Sequence, residues 1–215
     1  MSPPFDILPI LFRGLGITIE LTLVSAVLAF FISFIVGFGR LAKFKLIKIS
    51  AELYTEFFRG TSLLVQLFWV YFVLPLFNVN LTALQAGILI LGLHFGAYGS
   101  EVVRSSILAV PKGQTETGIV LNMKPRQILW RIILPQAFLM MIPTFGNYLI
   151  ELLKATAVVS LITLPDLMFQ ASMLQNTTLR TAESFGMVLL IYFCLAYPLT
   201  LGVRWVERKL SVGRA

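Results

Sequence analysis

Apolar residues fall along this chain in long unbroken runs, at roughly residues 15–39, 61–77, 84–106, 136–160 and 185–206, with shorter polar or charged stretches between them. An α-helix needs about 20 such residues to cross the hydrocarbon of a bilayer, and in that medium only helices or closed barrels satisfy their own backbone. Barrel strands would read as segments of alternating polarity about ten residues long. Continuous runs therefore predict an all-α integral membrane protein of five transmembrane helices, read as one transmembrane domain over residues 1–215. With an odd number of spans the two termini lie on opposite sides of the membrane. Composition agrees: 58% of residues are hydrophobic and 13% charged, with a mean hydropathy of +0.88, too much apolar surface for one soluble core of this length.

Between the runs, charge is placed unevenly. Arg40, Lys43, Lys45, Lys48 and Arg59 fall between the first two runs, Arg104, Lys112, Lys124, Arg126 and Arg131 between the third and fourth, and Arg204, Arg208, Lys209 and Arg214 at the C-terminal end. The opposite side receives only Arg13 and Arg180, and Lys154 lies within a run. The net charge of +7 is thus the positive-inside bias of a multi-pass protein rather than a nucleic-acid patch, and it sets the N-terminus outside and the C-terminus in the cytoplasm. The first run follows no basic segment and precedes no clear small-x-small cleavage site, so it is expected to be a retained span. The single cysteine, Cys194, and the single histidine, His94, supply neither a disulfide framework nor a metal site.

The connections have their own grammar. In the first basic stretch Leu53, Phe57 and Phe58 can lie on the membrane while Glu52, Glu56 and Arg59 stay wet. Phe77–Leu81 reads as a short, uncharged outer turn, and Leu164–Ser184 as a polar outer segment whose Met168, Phe169, Met173 and Leu174 can pack on the bundle or a partner. Trp69, Trp130, Trp205 and Tyr192 fit interface anchors.

Residues 111–135 are the most structured connection. Pro111 opens a helix, Gln114 to Leu121 complete about two turns, and Asn122 is the non-glycine residue best suited to the left-handed conformation that closes a helix. Pro125 suits the first turn of a second short helix with an apolar face of Ile128, Leu129, Ile132 and Ile133, and Pro135 is expected to break that helix and release the chain into the next span. The product would be a rigid two-helix knob on the cytoplasmic surface; the plain alternative is a loop that joins two spans.

Polar residues within the runs form rows. Thr144, Asn147, Glu151 and Lys154 share one helical face, as do His94, Tyr98, Glu101 and Ser105, and, in the first run, Thr18, Thr22 and Ser25. Such residues are costly in hydrocarbon and face a bundle interior or water. For serine and threonine, helix-to-helix hydrogen bonding competes with a role in a passage. For Glu151 and Lys154 the competing reading is an internal ion pair, for His94 hydrogen-bonded packing, and for Glu101 an ion pair with Arg104 near the inner end of its span.

The chain has no Gly-x-x-x-x-Gly-Lys-Ser/Thr phosphate loop and no catalytic constellation on facing spans, so it is not read as an enzyme and binds no cofactor of its own. No internal duplication is evident, which counts against the inverted-repeat plan of many secondary transporters.

Gly113, Gln114, Glu116, Asn122, Ile132, Leu134 and Pro135 match the register of the coupling segment of ABC-importer permeases, in which Glu-Ala-Ala is followed by Gly and then Ile-x-Leu-Pro. Thr117 and Gly118 replace the two alanines, and Asn122 the glycine. Ala97–Arg104, Arg59–Leu64 and Leu153–Ala157 resemble signatures of the polar-amino-acid branch, the histidine, glutamine, glutamate, arginine and opine importers, with Ser62 and Ala155 as departures. Ectoine permeases fall in the same branch. The resemblance covers nearly the whole chain. It implies a type I importer permease fold with a cytoplasmic coupling helix, a second permease subunit (self or sister), ABC ATPase subunits carrying ATP and Mg, and a periplasmic solute-binding protein. It implies import of polar amino acids or a related zwitterion across the bacterial inner membrane. The residues alone leave open an ion-coupled secondary transporter using Glu20, Glu101 and Glu151, and a scaffold subunit that carries no substrate.

Overall fold

A computed structural model describes residues 5–211, and all its regular elements are helical. After a 3-10 turn at Phe5–Ile7, α1 runs from Leu8 to Arg40, with a proline in its first turn where no intrahelical donor is needed. Next come α2 (Lys45–Gly60) and α3 (Leu63–Phe68), the latter prolonged by a π turn at Trp69–Val73 and a 3-10 turn at Leu74–Phe77. A capping box at Thr82 and Gln85 starts α4 (Ala83–Ala109). The short α5 (Lys112–Val120) and α6 (Pro125–Ile128) lead through a π turn at Leu129–Ile133 into α7 (Leu134–Ala155), which tightens into 3-10 turns at Thr156–Ile162. Finally α8 (Leu167–Thr178) and the long α9 (Thr181–Ser211) close the chain.

Four helical bodies are long and apolar enough to cross a bilayer alone: Leu8–Arg40, Ala83–Ala109, Pro125–Ile162 and Thr181–Lys209. The fifth is a bent pair. Lys45–Gly60 and Leu63–Phe77 meet at 105°, so the run expected to span at 61–77 is a short helix joined at a sharp angle to α2. Each π turn ends two residues before a proline, Val73 before Pro75 and Ile133 before Pro135. Proline cannot donate to the carbonyl four residues back and its ring crowds it; the wider turn makes room for the ring and lets the helix continue. This corrects one expectation: Pro135 does not break the run after α6, and Pro125–Ile162 is one continuous helical body.

At the centre sits α4. In its most apolar window 67% of residues are buried, against 11% in α9. α1 lies parallel along it on a seam of small residues, where a Cβ on Gly92 would come within 2.5 Å of Leu28 and one on Gly96 within 2.6 Å of Ile32. Such close approach maximises dispersion contact where lipid offers no hydrophobic drive between helices. Ser33 reinforces the seam, donating to Ala29 O at 2.6 Å and Gly96 O at 3.3 Å.

A second core joins the start of α1 to α8 and α9 through Leu11, Leu167, Leu174 and Met187. Here the expected outer segment proves to be a docked helix. Asp166 caps α8, accepting from Phe169 N at 2.9 Å, and Leu167 N donates to Thr18 Oγ1 at 3.1 Å. Asp166 is fully buried and its Oδ2 has no hydrogen-bond partner. Burial pushes its carboxyl up to about 6. At this end of the bundle Arg180 bridges Asp6, at 2.8 Å, and Glu183; the guanidinium holds the Asp6 carboxyl below its usual range.

Candidate functional site

The 111–135 segment forms the first short helix and the Asn122 turn its sequence predicts, whereas the second helix runs on into α7 instead of ending at Pro135. Asn122 takes φ 55°, with Met123 N donating to Gly118 O at 3.0 Å and Asn122 N to Ile119 O at 2.9 Å. These two bonds close α5 in the way a glycine at that position would. Lys124 N donates to Gln127 Oε1 at 2.9 Å, and Pro125 occupies the first turn of α6. Gly118, which stands where an alanine is usual, is buried against α6: a Cβ there would meet Ile128 Cγ1 at 2.8 Å. Gln136 ties the knob to α7, donating to Ile132 O at 2.9 Å and reaching Gln114 Oε1 at 3.5 Å.

Gly113, Gln114, Glu116 and Asn122 are exposed, Ile132 and Leu134 half-buried, and Pro135 exposed at the root of the knob. The tip also carries an apolar element that sequence reasoning passed over: Ile119, Val120 and Leu121 are 63%, 84% and 67% exposed. Three consecutive apolar residues closing an otherwise polar helix were the available signal. Glu116 beside this tip gives the knob one acidic group on an apolar end.

Within the bundle, α4 buries most of its surface but leaves His94, Tyr98, Glu101 and Ser105 on its less buried side. His94 Nδ1 lies 3.2 Å from Gln66 Oε1, while Gln66 Nε2 donates to Thr61 Oγ1 at 2.6 Å and Phe58 O at 3.0 Å. Gln66 therefore stitches the α2–α3 bend to α4. The Arg59 guanidinium stacks over the Tyr98 ring, 5.2 Å from its centroid, and Tyr98 packs edge-on against Tyr148 of α7 with centroids 6.0 Å apart. Arg59, Gln66 and Tyr148 thus join His94 and Tyr98 in one polar and aromatic surface, although sequence periodicity ties none of them to it.

That surface continues onto α7, where Asn147, Glu151 and Lys154 are exposed and Thr144 is half-buried. Among the described residues no ion pair joins Glu151 to Lys154, so the internal pair considered from sequence is not made. Lys154 borders a groove of about 680 Å³ with Tyr192, Tyr197, Thr200 and Arg204. Glu101 is engaged elsewhere, by Arg40 and by Arg104 at 2.6 Å. Glu20, Glu101 and Glu151 are joined by no hydrogen bond or ion pair among the described residues and form no relay. The row on α1 is structural: Thr18 donates to Gly14 O at 3.1 Å, Thr22 to Thr18 O at 2.7 Å, and both are buried.

Comparison with known proteins places these features in a family. Residues 29–212 match the model of the binding-protein-dependent transport system inner membrane component. A probable amino-acid ABC transporter permease protein, y4tF, of Sinorhizobium fredii (strain NBRC 101917 / NGR234) is 44% identical over 96% of this chain and 89% of its own length. The L-cystine transport system permease protein TcyB of Bacillus subtilis (strain 168) is 35% identical over 94% of this chain and 87% of its own. A chain from a crystal structure of an amino acid ABC transporter with histidines superposes with a TM-score of 0.91 at 32% identity, covering 97% of this chain and 100% of that one. The similarity runs along nearly the full length and is to permeases rather than enzymes, and the chain belongs to the family of multi-pass inner membrane components of binding-protein-dependent transport systems.

Proposed function

We propose that this permease subunit conducts a polar amino acid, or a related zwitterion such as ectoine, through a passage walled by the exposed face of α7 and the adjoining His94–Tyr98 surface of α4. The observation that carries the reading is the exposed row Asn147, Glu151 and Lys154 in an otherwise apolar helical body: an anionic, a cationic and an amide group offer partners to both charges of a zwitterion. Two such subunits, identical or sister, flank the passage, with the N-terminus outside and the C-terminus cytoplasmic. The knob seats in ABC ATPase subunits that carry ATP and Mg, Glu116 and the Ile119–Leu121 tip supplying the contact. A periplasmic binding protein delivers solute from outside. Closure of the ATPases draws the knobs together and turns the passage outward, as rigid-body motion of packed helices.

The test is ATP-driven uptake by the reconstituted complex with its binding protein, across ectoine, histidine, glutamine, arginine and cystine. Saturable uptake of one of these, abolished without the ATPase, is expected; uptake driven by a proton gradient without ATPase would overturn it. Glu116→Lys should leave the subunit inserted while uncoupling hydrolysis from uptake, and Asn122→Gly should be tolerated. Normal coupled transport by Glu116→Lys would remove that residue from the docking contact.

A further inference from the structure

Where α1 ends and α2 begins, the bundle encloses a pocket of about 320 Å³ lined by Arg40, Leu41, Ala42, Lys48, Glu52, Arg104 and Leu108. Four of these seven residues are charged, and three of the four are cations. The groove between the C-terminal half of α1 and the start of α7, by contrast, is lined wholly by apolar and aromatic side chains.

The charges in the pocket are incompletely matched. Glu101 is shared between two guanidiniums, those of Arg40 and Arg104, so one positive charge is left over. Arg40 is only 13% exposed in its side chain, and its Nε is buried with no hydrogen-bond partner. Lys48 meets Glu52 at 3.8 Å, with both side chains about half in solvent, a contact that contributes little. Exposed Lys43 and Lys45 flank the opening. An anion with several acceptor oxygens answers this deficit.

The neighbouring helix supplies the second observation. Leu46, Ile49, Leu53 and Phe57 recur at helical spacing along α2 and are 79%, 58%, 66% and 57% exposed. Lys48 and Glu52 lie on its polar side. The pocket itself lies where the spans Leu8–Arg40 and Ala83–Ala109 end, which puts it at headgroup depth with the apolar side of α2 beside it. Basic pockets between membrane helices at that depth hold anionic headgroups.

We propose that this pocket binds the phosphate of an anionic glycerophospholipid, with Arg40, Lys48 and Arg104 on its oxygens and the acyl chains along Leu46, Ile49, Leu53 and Phe57. The site is separate from both the passage and the knob.

Native mass spectrometry of the assembled transporter, exchanged from detergent into micelles doped with phosphatidylglycerol or phosphatidylcholine, tests it. Phosphatidylglycerol should be retained in preference to phosphatidylcholine. Lys48→Gln should weaken that retention about fivefold, the equivalent of about 1 kcal/mol for one surface cation, and Glu52→Gln should strengthen it by a similar factor. Lys124→Gln, on the knob, should leave it unchanged. Both pocket changes break only an exposed contact, so folding is preserved. A melting-temperature arm separates the sources of the phosphate: phosphatidylglycerol should stabilise the wild type and millimolar inorganic phosphate should not. Equal stabilisation by inorganic phosphate would mark a soluble-anion site and overturn the lipid assignment. So would equal retention of the two lipids, or retention of phosphatidylglycerol unaltered by Lys48→Gln and Glu52→Gln.

Discussion

Two helices of this chain carry a polar residue every three or four positions, and the fold treats them in opposite ways. On α1, Thr18, Thr22 and Ser25 are all buried. On α7, Asn147, Glu151 and Lys154 stand exposed. The difference lies in what each side chain can satisfy by itself. A threonine returns its proton to a carbonyl one turn back, as Thr18 does to Gly14 and Thr22 to Thr18, and so enters a helix interface at low cost. Carboxylate, ammonium and amide groups carry more hydrogen-bonding demand than their own helix can meet, and they need water, a partner or a solute. Periodicity reveals that a polar face exists; side-chain chemistry decides which way it turns.

The sharpest way to break this contrast lies beside the buried row. Asp166 is buried against the start of α1, where a Cβ on Gly14 would come within 2.5 Å of its backbone, and its carboxyl titrates at about 6 against an ordinary 3.8. The folded state therefore holds the proton more tightly. The resulting stabilisation is fully present below about pH 4 and is lost as pH rises through about 6; a difference of about two units amounts to about 3 kcal/mol. Asp166→Asn keeps a capping oxygen and should flatten this dependence, so the wild type should lose melting temperature relative to the variant between about pH 4 and 7. Parallel profiles would mean that the carboxyl is not confined as described. Next in size, Thr18→Val strips the acceptor from the buried Leu167 N–H and should cost about 1–3 kcal/mol, with transport per folded complex unchanged.

On the exposed side the signature should invert. Because no ion pair joins Glu151 to Lys154 among the described residues, the double change Glu151→Gln with Lys154→Met should leave the melting temperature within experimental error while altering transport rate or solute preference about tenfold, the equivalent of about 1.4 kcal/mol. Unaltered transport by the assembled double variant would leave α7 with a polar face of no consequence for the solute. The smallest effect belongs to Ser25→Ala. Its Oγ is buried without a hydrogen-bond partner, so removal should shift stability by less than about 0.5 kcal/mol or improve it; a large loss would reveal a bond that Ser25 makes in the membrane.

Much of this was legible beforehand, for identifiable reasons. Four spans follow from apolar length alone, and the closure of α5 from the tolerance of asparagine for positive φ. The bend between α2 and α3 was not, because it is stitched by Gln66 reaching back to Thr61 and across to His94, a contact with no periodic trace. Pro135 misled because a proline reads as a stop, whereas one π turn absorbs it. Helix α8 reads in sequence only as a polar segment with no sign of its capping Asp166, since its burial depends on the start of α1. Arg59 escaped notice as a neighbour of Tyr98 for the same reason: the two are brought together only by the 105° turn.

The unbroken passage through Pro135 has a mechanical consequence. The second half of the knob and the polar row belong to one helical body, Pro125–Ile162, with Pro125 and Glu151 separated by roughly 39 Å at about 1.5 Å per residue. Such a body acts as a lever arm. Pivoting near its base by about ten degrees would sweep Glu151 through about 7 Å, more than the helical pitch of about 5.4 Å, with no local refolding. Had Pro135 interrupted the helix, the same push would have been spent in flexing a joint, and displacement at one end would not reach the other.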